Sequence, residues 1–196
     1  MLPDAREYGP WLDQFADDLR PGIVALDLGC GVGDDAHFLA GRGLAVVGVE
    51  LSRERIARAA PHVPEACFVR ASLSAPLPLR DRAVDMVVAS LSLHYFDRPT
   101  TEGIAREIAR VLRPGGVLLT RVNAVGDVAS GYGAGVEREP DLFEVEPGYL
   151  KRFFTEESLR ALLELRFEIA AISRQRTHGS EGLPKQTIVA RAVSRG

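Results

Sequence analysis

A glycine-rich turn between a predicted strand and a predicted helix constrains this 196-residue chain more than any other feature. An apolar run over residues 23–28 predicts a short buried strand, three glycines follow within five residues, and a helical pattern begins near Asp34. This order lets bare backbone approach a nucleotide-like ligand. A second apolar run, residues 44–49, ends in Glu50, about 20 residues past the first glycine, where a ribose-binding acid is expected. The sequence therefore predicts a site for a ribose-containing cofactor.

The spacing of the glycines separates two classes of cofactor. A dinucleotide-binding turn needs G-x-G-x-x-G or alanine, because the third small residue lets helix and strand pack closely. Asp34 occupies that position here, and Gly33 comes one residue early. An acid at the start of the helix would also repel a pyrophosphate, since that end of a helix attracts anions. An NAD-dependent oxidoreductase is therefore the disfavoured alternative.

Residues 27–33, Asp-Leu-Gly-Cys-Gly-Val-Gly, resemble motif I of the class I S-adenosylmethionine (SAM)-dependent methyltransferases. SAM has no phosphate, so an acid near the start of the helix is tolerated. Three later segments resemble further motifs of this family, in the same order and spacing over residues 22–123: residues 47–52, 83–90 and 112–119. The chain is similar to the small-molecule branch of the family, of the ubiquinone and menaquinone-biosynthesis type.

Strands and helices alternate along most of the chain, which predicts an α/β fold with a mostly parallel sheet and helices on both faces. Strands are predicted near residues 23–28, 44–49, 66–70, 84–89, 116–122, 166–172 and 186–193. No helical pattern separates the last two strands, which predicts an antiparallel hairpin. The family resemblance implies seven strands in the order 3-2-1-4-5-7-6, with the last strand antiparallel. We expect a single domain over residues 1–196, beginning with an amphipathic helix within residues 1–20.

One segment, residues 124–154, does not follow this alternation and contains five glycines and several aromatic residues. Loops this long in compact domains are usually functional or disordered. Disordered segments are poor in aromatic residues, and this one leaves the carboxyl end of a strand, where open α/β sheets bind ligands. We predict a substrate lid, and a floppy surface loop is the alternative. The next residue, Thr155, is predicted to cap a helix.

Composition argues against several function classes. The net charge is −3 and the basic residues are dispersed, so the chain lacks the clustered positive charge of a nucleic-acid binder. No apolar run approaches the roughly 20 residues of a membrane span, and the first residues do not resemble a signal peptide. Two cysteines make neither a disulfide framework nor a metal cluster. We therefore expect a cytoplasmic monomer or homodimer with no metal, no nucleic-acid partner and no membrane partner.

The resemblance implies cofactor roles for residues that follow the first four strands. The glycines would contact the methionine part of SAM through backbone, Asp27 would orient the turn or reach the cofactor amino group through water, and Glu50 would accept both ribose hydroxyls. Ser72 stands where the family often has an acid that binds the adenine amino group. A serine hydroxyl can still accept that hydrogen bond, but it carries no charge. Cys30 is interpreted as a small space-filler, not a nucleophile. The predicted cofactor residues are Asp27, Gly29, Cys30, Gly31, Gly33, Glu50, Leu51, Ser72, Leu73 and Ser90.

Residues 90–95 follow the fourth strand and are expected to face the transferred methyl group. They lack the (Asp/Asn)-Pro-Pro-(Tyr/Phe) run typical of methyltransferases of exocyclic base amines, which disfavours nucleobase acceptors. His94 is predicted to be a catalytic base or a substrate hydrogen-bond partner, with a structural histidine as the alternative. His178 and Lys185 are predicted to lie in a solvated hairpin loop. The predicted acceptor residues, each with core or lid packing as the alternative, are Trp11, Tyr95, Asn123, Tyr132 and Tyr149.

Methyl transfer from a sulfonium is an in-line displacement, so the protein mainly aligns the reactants and excludes water. A general base is needed only when the acceptor must lose a proton. We therefore predict methyl transfer from SAM to a small-molecule acceptor, with S-adenosylhomocysteine (SAH) as the product. A non-catalytic SAM-binding protein on the same fold is the alternative, and the methylated atom stays open.

Overall fold

A seven-stranded sheet organises the computed structural model, which describes residues 11–178 and 184–196. Its strands are β1 (Val24–Leu28), β2 (Ala45–Glu50), β3 (Cys67–Arg70), β4 (Val84–Ser90), β5 (Leu112–Asn123), β9 (Phe167–His178) and β10 (Pro184–Ser194). Their order is β3-β2-β1-β4-β5-β10-β9, and β10 runs antiparallel to both of its neighbours. Three short strands that form a second sheet take the intervening numbers. Counted within the large sheet alone, the order is the predicted 3-2-1-4-5-7-6.

Helices cover both faces of this sheet, as predicted. They are α1 (Asp34–Ala40), α2 (Arg53–His62), α3 (Arg98–Val111) and α4 (Glu156–Leu163). One face packs against apolar residues of α3 and α4, and the other packs against α1 and the N-terminal segment. Thr155 caps α4 as predicted: its hydroxyl accepts the Ser158 amide at 3.1 Å, and the Ser158 hydroxyl accepts the Thr155 amide at 2.9 Å. Among the described residues, no helix is both long and apolar enough to cross a membrane.

The N-terminal segment differs from the predicted continuous helix. The described part, Trp11–Asp18, is a 3-10 helix that is interrupted at Phe15, whose backbone angles are not helical. Its apolar face nevertheless lies where the sequence places it, because Trp11, Leu12 and Phe15 are all buried against the sheet. Leu19 and Arg20 are not helical, and residues 1–10 lie outside the described residues.

The segment predicted as an irregular lid contains a small antiparallel sheet. Its strands are β6 (Val136–Glu139), β7 (Leu142–Glu146) and β8 (Tyr149–Arg152), in the order β6-β7-β8. Packed aromatic rings hold the segment together, which argues against the floppy-loop alternative. Tyr132 packs edge-on against Phe143 and Phe153, with ring centroids 5.4 and 5.2 Å apart. The sequence does not predict this sheet, because each strand is only four or five residues long and rich in charge.

Candidate active site

The glycine turn lies at the carboxyl edge of the sheet, between β1 and α1. Gly29, Gly31 and Gly33 all have positive φ, at 78°, 57° and 91°. The amides of Gly29 and Cys30 donate to the Val49 carbonyl at 2.8 and 3.1 Å, which ties the turn to β2. A Cβ at Gly29 would lie 2.6 Å from the Ser92 Cβ, whereas a Cβ at Gly31 would meet nothing within 4 Å. The turn is therefore closed at Gly29 and open at Gly31, where bare backbone can meet a ligand.

Glu50, the last residue of β2, joins the two halves of the predicted cofactor site. Its side chain is largely buried, with a residue exposure of 7%. One carboxylate oxygen accepts the Gly31 amide at 3.1 Å and the other accepts the Ser52 amide at 2.8 Å. Arg55 lies 3.9 Å away and adds a weak ion pair. Each carboxylate oxygen can accept more than one hydrogen bond, so Glu50 can hold the turn and still accept ligand hydroxyls.

Asp27 is a buried acid whose hydrogen bonds are incomplete. Burial raises the pKa of its carboxyl well above the usual range, the Asp35 carboxylate raises it further, and the Ala36 amide opposes the rise. Its Oδ2 atom, and the buried Ser92 hydroxyl beside Gly29, have no hydrogen-bond partner among the residues that the structure describes. Unpaired buried polar atoms are costly. This edge of the sheet is therefore prepared for a ligand that brings hydrogen-bonding groups.

His94 lies in the turn Leu93–Tyr95 that follows β4, with only 2% of its surface exposed. Its ring packs 4.1 Å from the Tyr95 ring, and Tyr95 in turn packs 5.6 Å from Tyr149 on β8. Burial lowers the pKa of His94 to about 3, and the positive charges of Lys151 and Lys185 contribute to this shift. A pKa this low keeps the imidazole neutral near pH 7.

Comparison with known proteins relates part of the chain to a family. Residues 25–116 match a family described as a methyltransferase domain. An uncharacterized methyltransferase of Synechocystis sp. is 36% identical over 99 residues, which are 50% of this chain and 46% of that protein. A SAM-dependent methyltransferase from Methanosarcina mazei has the same fold, with a TM-score of 0.76, 24% identity, and coverage of 92% of this chain and 96% of that one. Residues 25–116 therefore carry a methyltransferase domain, on the fold that class I SAM-dependent methyltransferases share.

A second solved structure extends the likeness of fold to a ligand-bound enzyme. It is the 1,6-didemethyltoxoflavin-N1-methyltransferase of Burkholderia thailandensis, which contains 1,6-didemethyltoxoflavin and SAH. Its TM-score is 0.72 at 23% identity, and the match covers 94% of this chain and 75% of that one. This chain spans about half the length of the curated relatives it matches.

The other predicted cofactor residues differ in their contacts and exposure. Leu73 reaches the glycine turn, with its Cδ1 3.7 Å from a Cβ built at Gly29. The Ser72 hydroxyl lies 2.8 Å from that of Ser74. Leu51 is 58% exposed at the end of β2. Burial raises the pKa of the Cys30 thiol and the nearby Asp27 carboxyl raises it further, which agrees with a space-filler rather than a nucleophile.

A polar network that the sequence did not reveal lies beside the glycine turn. Ser90 accepts hydrogen bonds from Arg121 at 2.8 and 3.2 Å, so its hydroxyl already has a partner within the protein. Trp11 donates its indole N–H to Asp35 at 3.0 Å, and the Arg121 guanidinium lies 5.0 Å from the Trp11 ring. Trp11 is thus placed at the cofactor edge of the site by these contacts. The network joins residues far apart in sequence, and no local pattern could have identified it.

The predicted acceptor residues divide into two groups. Tyr95 and Tyr149 form the ring stack on His94, and Asn123 is buried at the end of β5, where its carbonyl accepts the Phe154 amide at 2.9 Å. Tyr132 instead donates its hydroxyl to Asp141 at 3.1 Å and packs inside the small-sheet segment. For Tyr132 the geometry favours lid packing, the alternative given above.

The structure places Lys185 differently from the sequence prediction. It lies in β10 rather than in a loop, and only 9% of its surface is exposed. The neighbouring His178 falls within β9, at the limit of the described residues. The long antiparallel pairing of β9 with β10 accounts for the difference, because it extends the hairpin well beyond the apolar runs used to predict it.

Alanine variants of Gly29 and Gly31 test the difference in packing between the two ends of the glycine turn. Gly29→Ala should lower the free energy of unfolding by about 1–2 kcal/mol more than Gly31→Ala, because both need positive φ but only Gly29 has a side chain in the way. Denaturant unfolding of both variants without ligand measures this difference. Equal losses would contradict the closed packing at Gly29. For the folded proteins we expect Gly31→Ala to weaken SAH binding more than Gly29→Ala does, because the Gly31 Cβ would face the ligand.

Proposed function

We propose that this chain transfers a methyl group from SAM to a small-molecule acceptor. The observation that carries the proposal is the meeting of Glu50, the open glycine turn and the unpaired Asp27 Oδ2 at one edge of the sheet. Glu50 would accept the ribose hydroxyls, and Asp27 would receive the cofactor amino group. Leu73 and Ser72 would border the adenine. SAM supplies an activated methyl group, so the chain needs chiefly to orient the acceptor and exclude water.

His94 is proposed to contact the acceptor rather than to act as a strong base. A group whose conjugate acid has a pKa of about 3 removes protons poorly from phenols, thiols or amines. A neutral imidazole can still donate and accept hydrogen bonds. Together with Tyr95 and Tyr149 it would form one wall of the acceptor pocket, and the small-sheet segment over residues 136–152 would act as the lid.

Binding and turnover separate this proposal from its alternatives. SAH should raise the melting temperature and NAD should not, with stabilisation of about 2.7 kcal/mol at a hundredfold excess over the dissociation constant. Thermal melts with each ligand measure this. Absence of SAH binding at millimolar concentration would contradict the proposal.

A screen of small phenols, thiols, amines and carboxylic acids with labelled SAM then tests catalysis. Turnover on any of them supports the enzyme. SAH binding without turnover on any acceptor would favour the alternative, a non-catalytic SAM-binding protein. Adding RNA to the same screen tests the expectation that nucleic acids are not acceptors, and gel filtration tests the expected monomer or homodimer.

A further inference from the structure

A cavity of about 880 Å³, here called the α3 cavity, lies beside helix α3. Its walls come from residues 73–76 after β3, from α3 itself, from residues 165–166 before β9, and from residues 194–196 at the end of β10. Small-molecule sites in proteins usually occupy about 300–1,000 Å³. Neither Glu50 nor His94 lines this cavity, so it lies outside the proposed methyl-transfer site.

A glycine in the middle of α3 keeps part of this space open. Gly103 lines the cavity, and apart from the backbone of its own helix a Cβ built there would meet only the Arg106 Nη2, 3.7 Å away. Glycine is a poor helix former, and Gly103 does not have the positive φ that would require it. Neither the backbone nor close packing therefore explains a glycine here, and what a side chain would change is the space above the helix.

Much of the wall of the α3 cavity is apolar. Leu73, Pro76 and Ile104 line it, and Leu165 lines it from the turn before β9. Leu165 is 74% exposed, although it is a large apolar side chain. Scattered exposed apolar residues are ordinary, whereas contiguous ones mark binding surfaces. Because Leu165 continues an apolar wall, its exposure favours a ligand with an apolar body.

Three arginines line the same cavity: Arg106 on α3, Arg166 before β9 and Arg195 after β10. In the part of the chain that the structure describes, none of their side chains makes a hydrogen bond or an ion pair. The Arg195 amide donates to the Arg166 carbonyl at 3.3 Å, so these two residues are neighbours. Arg106 faces the space above α3, as its 3.7 Å distance from the Cβ position at Gly103 shows.

The negative charges of the cavity do not balance these arginines. Among the described residues, Glu107 is the acidic side chain that lines it, and Glu107 is already paired with Arg110 at 2.8 Å. The carboxylate of Gly196, the last residue of the sequence, offsets one of the three remaining positive charges. The cavity is therefore cationic in a chain whose net charge is −3. The planar guanidinium of arginine suits two-point hydrogen bonding to an oxyanion.

We propose that the α3 cavity is a second ligand site, which binds a small apolar molecule that carries an anionic group. The apolar wall would hold the body of the ligand, and the three arginines would bind its carboxylate, sulfonate or phosphate group. Leu73 lies between this site and the cofactor site, because it lines the cavity and its Cδ1 is also 3.7 Å from a Cβ built at Gly29. The two sites are thus separate neighbours.

Two fluorescent probes with the same carbon skeleton test the requirement for a negative charge. Anilinonaphthalene sulfonate carries an anionic group, and phenylnaphthylamine is the same molecule without it. In titrations of the full chain, the sulfonate should bind at one site about tenfold or more tightly than the neutral probe, and added salt should reduce this difference. Equal affinities of the two probes, or competitive displacement of the sulfonate by SAH, would overturn the proposal.

Gly103→Leu fills the cavity and leaves its three arginines in place. Leucine is the better helix former, so the melting temperature should be no lower than that of the wild type. Both probes should bind about tenfold or more weakly, because the new side chain takes the space of the aromatic body. SAH affinity should stay the same. Unchanged probe affinity in the folded variant would place the probes elsewhere and refute the assignment of the cavity.

Arginine variants identify the groups that bind the anion. Arg106→Met, Arg166→Met and Arg195→Met should each weaken the sulfonate about threefold, since single exposed ion pairs are weak, and the triple variant should weaken it about tenfold or more. The neutral probe should bind all of them as it binds the wild type. Arg58→Met removes an exposed charge from α2, outside the cavity, and is the matched control. No loss in the triple variant, or an equal loss in the control, would contradict the proposal.

A peptide separates a small ligand from a protein partner. An amphipathic helical peptide of leucine and glutamate, as long as α3, presents apolar surface and negative charge together. It should bind more weakly than the sulfonate probe. A peptide that binds more tightly than the probe, and loses affinity in the triple arginine variant, would overturn the proposal in favour of an acidic protein partner. SAH binding is measured separately, so failure of the cofactor site and failure of the α3 cavity remain distinct results.

Discussion

Replacing Glu50 by alanine should weaken SAH binding by about tenfold to a hundredfold, since hydrogen bonds to a charged group contribute roughly 1.5–3 kcal/mol. Two effects act together. The ribose hydroxyls lose their proposed acceptor, and the amides of Gly31 and Ser52 lose theirs, so the open glycine turn is no longer held in place. Isothermal titration with SAH measures the change in affinity, and thermal unfolding shows how much of it comes with loss of stability.

Two further variants separate these effects on binding. Glu50→Gln keeps the shape and one carbonyl oxygen, so we expect an affinity between wild type and Glu50→Ala. Glu54→Ala removes an exposed acid from the first turn of α2 and should leave SAH affinity unchanged. Unchanged SAH affinity in folded Glu50→Ala would remove Glu50 from the cofactor site.

Acidification from pH 7 to pH 4 should cost the wild-type protein about 2–3 kcal/mol more stability than the His94→Gln variant, by linkage to one buried imidazole. The folded pKa of His94, about 3, is below that of an unfolded histidine. The unfolded chain therefore takes up a proton before the folded protein does. This stabilisation is fully present above about pH 6.5 and is lost as the pH falls toward 3.

Urea unfolding of both proteins across this pH range measures the effect, and their difference cancels the titration of groups common to both. Parallel pH curves would mean that His94 is accessible to protons in the folded protein. Repeating the series with a bound acceptor adds information on the acceptor site. A nearby anion would raise the pKa of His94 and flatten the pH dependence.

The sequence identifies the parts of the domain whose chemistry is local. The turn over residues 27–33 needs particular glycines for its backbone, Glu50 directly ends an apolar strand, and Thr155 carries its own capping pattern. These features can be predicted from the sequence because the residues that determine each of them lie within a few positions of one another. The strand order is predictable only through the family resemblance, since alternation of strands and helices predicts a parallel sheet but not its sequence of neighbours.

The acceptor side could not be predicted in the same way. β8 packs against the turn Leu93–Tyr95 that holds His94, although the two are far apart in sequence and β8 carries no pattern that predicts this contact. The contact of Trp11 with Asp35 likewise depends on where the N-terminal segment crosses the sheet. Burial decides the state of His94: its residue type suggests a base, whereas its environment holds it neutral.

The small-sheet segment begins and ends at one point of the fold. The Phe154 amide donates to the Asn123 carbonyl and the Val125 amide donates to the Phe154 carbonyl, each at 2.9 Å, so its two stems are fastened to each other. Within residues 11–178 and 184–196, its three strands pair only with one another. The segment can therefore be lengthened, shortened or replaced, in evolution or by design, without changing the strand order of the seven-stranded sheet. Acceptor range in such a chain can diversify while the donor chemistry stays fixed.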